Sequence, residues 1–93
     1  MINPNVLHAV GEAFEANHIT ARPGEQMADT VARALHISKL DADHWLEALT
    51  NGCTVEQANR QVGIVNHKDN EPLLNAVARF LGTALGAALP LRD

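Results

Sequence analysis

The sequence is poor in basic residues, and those it has are dispersed. Seven lysines and arginines stand against 11 aspartates and glutamates in 93 residues, which gives a formal net charge of −4 at pH 7. Because non-specific DNA binding depends on clustered cations that neutralise phosphates, this distribution disfavours a nucleic-acid surface.

Cysteine and long apolar runs are also scarce. Cys53 is the only cysteine, which excludes an intramolecular disulfide and fits a reducing compartment. The N-terminus lacks a charged stretch followed by an apolar one, and no window reaches the roughly 18 uninterrupted apolar residues of a membrane span. The sequence therefore predicts a cytoplasmic protein with no membrane span.

The apolar content comes mostly from alanine and leucine, with three aromatic residues and no tyrosine. Alanine and leucine lose little entropy on entering a helix, and the length suits one hydrophobic core. We predict one helical domain over residues 1–93. It is expected to be an all-α, compact bundle of about five short helices, with the longest helix at the C-terminus.

Three helix starts are marked by residues with a clear local role. Asn3 can cap the first helix, with Pro4 in its first position, where a backbone N–H is not needed. Thr54 and Gln57 have the spacing of a capping box. Pro72 starts the last and longest predicted helix.

Two further starts are predicted from turn and cap residues. Pro23 and Gly24 are expected to open the second helix. Asp41 is expected to cap the third, with Leu40 packing on Trp45 as a hydrophobic staple.

The segment TNGCTVEQANRQVGI, Thr50–Ile64, resembles a helix-turn-helix segment, with Gly52 in its turn. In that interpretation the helix over residues 55–62 enters the major groove. Its side chains that would read bases are Gln57, Asn59, Arg60 and Gln61. The other interpretation is an ordinary corner between two capped helices, since few basic residues are available for phosphate contacts.

A row of small residues, Ala78, Gly82 and Gly86, recurs every four positions in the last helix. Small residues let a second helix approach closely, and glycine inside a helix costs about 1 kcal/mol relative to alanine. The neighbour is either another helix of this chain or the same helix of a second copy in a homodimer. Trp45 is a further interface candidate, with burial in the core as the alternative.

Residues with catalytic or metal-binding chemistry form no recognisable site. The five histidines lack metal-ligand spacing, and His8 with Glu12 supplies only two ligands. Cys53 adjoins a helix start, which can activate a thiol, but the position equally suits a small hydrophobe. We predict no catalytic residue, metal or cofactor, and hence no enzyme.

These observations favour a small acidic helical adaptor or regulatory module that acts by binding a protein partner of unspecified identity. The alternative is a helix-turn-helix transcriptional regulator that reads DNA with its 55–62 helix.

Overall fold

The structure, a computed structural model, describes residues 2–64 and 71–84. In those ranges every regular element is a helix, which confirms the prediction of a five-helix, all-α fold. The elements are α1 (Pro4–Ala16), α2 (Met27–Leu35), α3 (Lys39–Thr50), α4 (Val55–Gln61) and α5 (Glu71–Ala84). Because α1 has 13 residues and α5 has 14, and helix-end assignments differ by about one or two residues, the prediction that the C-terminal helix is the longest is not confirmed.

Two helix starts lie where their cap residues predict. The Asn3 side chain accepts a hydrogen bond from the backbone N–H of Asn5 at 2.7 Å, with Pro4 in the first helical position. Thr54 and Gln57 exchange both bonds of the capping box, at 3.1 and 2.9 Å. Each start uses atoms at most three residues apart, so the local sequence suffices to specify it.

The starts of α2 and α3 differ from prediction. Pro23 and Gly24 form a turn, and α2 begins only after it. The cap of α3 is Ser38, whose hydroxyl accepts from the backbone N–H of Asp41 at 3.0 Å. The predicted staple is wrong as well, because Leu40 is 64% exposed.

The first four helices end in the same way, with one residue in the left-handed conformation. The N–H of the following residue then bonds to the carbonyl five positions back, as in a Schellman motif. That following residue, a partly buried hydrophobe, packs against the core each time. The left-handed residues are His18, His36, Gly52 and Gly63, followed by Ile19, Ile37, Cys53 and Ile64.

Side chains from all five helices form one hydrophobic core. α1 packs along α5, α2 packs on α3, and α3 packs on α4. The backbone N–H of Asn3 donates to the Thr50 hydroxyl at 3.0 Å, which ties the start of α1 to the end of α3. The largest fully buried side chains include Val6, Phe14, Val31, Trp45, Leu46, Leu49, Val77 and Leu81.

Candidate functional site

Two predicted interface residues lie inside the protein. Trp45 is fully buried, and its indole N–H donates to the Asn59 side-chain oxygen at 2.8 Å. Burial of a tryptophan ring is most favourable when its N–H finds a hydrogen-bond acceptor, and the Asn59 side-chain oxygen is that acceptor. Gly82 is buried and Ala78 partly buried, whereas Gly86 lies outside the described residues. In this fold neither Trp45 nor Gly82 is available to an outside partner.

The predicted DNA-reading set does not form one outward face. Asn59 is only 2% exposed, so the expectation that it points outward is wrong. Gln57 uses its side-chain oxygen in the capping box, and the Gln61 amide nitrogen lies 3.6 Å from the Cys53 sulfur. Arg60 is exposed and is the one basic side chain of α4.

Among the described residues, the histidines and the cysteine are dispersed over the fold. His8 lies 3.5 Å from Glu12, and both side chains are exposed. His18 and His36 occupy the left-handed positions that end α1 and α2. Across residues 2–64 and 71–84, no group of three or more potential ligands could hold a metal ion. Cys53 is partly buried against the core.

A surface groove lies along α1, beside the connection to α2. Its volume is about 470 Å³, within the roughly 300–1,000 Å³ of typical ligand pockets. Apolar residues supply much of its lining, and the charged residues at its edge are exposed. This α1–α2 groove is lined by Leu7, His8, Gly11, Glu12, Phe14, Glu15, Ile19, Thr20, Ala21, Met27 and Thr30.

Gly11 lets the Met27 side chain lie close to α1 within the groove. A Cβ atom built on Gly11 would lie 3.2 Å from the Met27 methyl carbon, closer than an ordinary van der Waals contact. The absence of that Cβ lets the Met27 side chain lie over the α1 backbone. The floor at this point is therefore a flexible thioether chain, which adapts to the shape of what contacts it.

The connection between α1 and α2 forms one wall of the groove and is held by a hydrogen-bonded ion pair. The Arg33 guanidinium donates to both oxygens of Glu25, at 2.9 and 3.1 Å, and to the backbone carbonyl of Thr20 at 2.8 Å. Glu25 also accepts from the Thr30 hydroxyl and the Arg22 backbone N–H. These bonds, those from Arg33 first, lower the pKa of Glu25 to about 2.

The groove rim carries negative charge. Glu12 and Glu15 are exposed and lie three positions apart on α1, the spacing of neighbours on a helix surface. Glu12 has His8 within 3.5 Å, a residue that is charged only when protonated. Within the described ranges, no lysine or arginine forms an ion pair with either carboxylate. As far as the described residues go, the rim therefore presents two carboxylates without a permanent cationic partner.

A second cavity, of about 280 Å³, lies between α4 and α5. Its lining is mixed, with the buried Asn59 and the exposed Glu56, Glu71 and Asn75 among its residues. It is smaller than the α1–α2 groove and has less apolar surface to offer a partner.

Sequence patterns did not locate the α1–α2 groove, because its wall and floor come from residues that become neighbours only on folding. One local signal was present. Gly11 lies in the middle of an otherwise good helix, where it costs about 1 kcal/mol relative to alanine, and its role in making room for Met27 accounts for that cost.

Comparison with protein-family models, curated proteins and solved structures gives no match to this chain. Among the described residues, no helix has the length and apolar character needed to cross a membrane.

Proposed function

We propose that the chain is a non-catalytic helical adaptor or regulatory module, active in the cytoplasm as one domain, that binds a protein partner through the α1–α2 groove. The observation that carries the proposal is the apolar lining of that groove, where Leu7, Ile19 and Met27 remain only partly buried. Burial of this surface by a partner would be favourable, since apolar area removed from water contributes about 25 cal/mol per Å².

An open groove suits a macromolecule better than a small metabolite. Pockets for small ligands typically enclose most of the ligand surface, whereas the rim here is exposed along Glu12, Glu15 and Thr20. The groove carboxylates and His8 also lack the burial with which catalytic groups are usually tuned. Both features favour a binding role over a catalytic one.

Site-specific photocrosslinking tests the location of the interface. The photoreactive residue benzoylphenylalanine is placed at the rim in place of His8 and, as a control, on α4 in place of Glu56, both of which are exposed. We expect a discrete protein adduct from the first position and none from the second. Equal adducts from both positions, or none from either, would contradict the proposal.

The purified partner then allows a matched comparison of two leucines. Leu7→Gln removes an apolar side chain from the groove, whereas Leu40→Gln makes the same change at a residue that is 64% exposed and outside the groove. Because buried apolar anchors dominate interface energies, Leu7→Gln should weaken binding about tenfold. Leu40→Gln should leave the affinity unchanged, and circular dichroism should show that both variants fold.

DNA reading by α4 is the second candidate, and one observation favours it. α3 and α4 pack on each other as consecutive helices, and Arg60 is exposed on the second of them. An electrophoretic shift on duplex DNA that weakens as salt rises, and that Arg60→Ala abolishes while the fold is retained, would support it over the groove proposal. The absence of any shift at low salt would remove it.

A further inference from the structure

We infer that the partner segment recognised by the α1–α2 groove is a basic amphipathic one, with an apolar side chain for the groove floor and neighbouring lysines or arginines for Glu12 and Glu15. This inference rests on the proposed function and specifies its partner. It follows from two properties of the same surface, the apolar floor and the charge of the rim.

The two rim carboxylates lie three positions apart on α1. Glu12 and Glu15 are neighbours of like sign on the α1 surface, and such pairs destabilise a helix slightly. Neither is paired with a lysine or arginine among the described residues. A cationic side chain from a partner would relieve the repulsion between the carboxylates.

Two further acidic residues, in the α1–α2 connection and in α2, do not line the groove and already have cationic partners. Glu25 is hydrogen-bonded to Arg33, and Asp29 lies 3.5 Å from the Lys39 ammonium. The carboxylates able to attract a partner are thus those on the α1 side. A basic segment lying along α1 would place its charges there while its apolar residues face Phe14 and Met27, both of which line the groove.

Three synthetic peptides test the inference by titration into the ¹⁵N-labelled full chain. They share leucines at the i, i+3, i+4 and i+7 positions of a helix, the pattern of groove-binding segments, and carry lysine, glutamine or glutamate at the remaining positions. We expect amide shift changes centred on Leu7, Gly11 and Met27. Affinity should be highest for the lysine peptide and lowest for the glutamate peptide, with the lysine peptide weakened by salt.

Charge-neutral variants locate the attraction. Glu12→Gln and Glu15→Gln should each weaken binding of the lysine peptide about two- to fivefold, the effect of one exposed ion pair, and leave the glutamine peptide unchanged. Glu56→Gln makes the same change of charge on α4 and should alter neither. A loss of the same size with Glu56→Gln would show that net charge, rather than the rim, attracts the peptide, and would overturn the inference.

The outcomes separate this inference from the proposed function. If all three peptides bind the groove equally, or the glutamate peptide binds best, the basic partner is wrong and the groove function stands. If none binds and the crosslinking at position 8 also fails, the groove function itself is wrong. A free protein that is dimeric through groove residues would also overturn the inference, because the groove would then be covered by a second copy.

Discussion

Substitution of Asn59 should destabilise the fold rather than remove a surface function. The Asn59 side-chain oxygen accepts from the Trp45 indole N–H at 2.8 Å, and both residues are at most 2% exposed. Asn59→Leu keeps a comparable volume but leaves a buried donor without an acceptor. Such an unsatisfied group costs about 1–3 kcal/mol, a large share of the roughly 5–15 kcal/mol that stabilises a small domain.

A double-mutant cycle isolates this hydrogen bond from the change in packing. Trp45→Phe removes the donor, so Asn59→Leu should cost less in that background than in the parent chain. We expect a coupling free energy of about 1 kcal/mol, within the range for residues in direct contact. Urea unfolding followed by circular dichroism measures all four proteins, including those without tryptophan. Additive costs would refute the reasoning, since they would mean that the two side chains contribute independently.

Three further predictions concern helix ends and the groove wall. Gly52→Ala should lower the free energy of unfolding, measured with urea, by about 1 kcal/mol, because Gly52 has a φ of +96° and the space around its Cβ position is open. An unchanged free energy of unfolding would contradict the left-handed conformation of Gly52. His36→Gly should stabilise the fold by about 0.5–1 kcal/mol, because histidine at φ of +59° is strained and glycine is not. A loss of stability would indicate an unrecognised role of the imidazole. Glu25→Gln should remove part of the acid sensitivity. The pKa of Glu25 in the folded protein is about 2, against an ordinary 4.5, so its contribution is present above pH 4.5 and is lost as the pH falls towards 2. Unfolding curves of both proteins across that window should converge at low pH, and parallel pH profiles would contradict the ion pair.

Local signals predicted the parts of the fold that local atoms determine. Asn3 and Thr54 cap their helices because their acceptors lie within three residues of the N–H groups they satisfy. Where two cap residues compete, the sequence pattern does not choose between them. Ser38 and Asp41 are both good caps, and the structure uses the earlier one, which lengthens α3 and exposes Leu40.

Asn59 shows how residue type can mislead where spacing does not. In α4 the buried positions are Val55, Ala58 and Asn59, the i, i+3, i+4 stripe of a helix that faces a core. This spacing puts Asn59 on the inner face of α4. The prediction that Asn59 points outward came instead from its polar side chain, which is of a type that can read bases. Its partner Trp45 lies 14 positions away, and no local rule connects the two.

The corner before α4 lies in the segment that resembles a helix-turn-helix, and it has a close counterpart earlier in the chain. Between α3 and α4 the chain runs Gly52-Cys53-Thr54, a left-handed residue, a partly buried hydrophobe and a hydroxyl cap. Between α2 and α3 it runs His36-Ile37-Ser38 with the same three roles. The fold therefore uses this way of joining helices twice, so the corner by itself is not specific to DNA reading. DNA reading would have to come from the outward side chains of α4, where Arg60 is the one basic residue, and a single cation gives little attraction to a phosphate backbone.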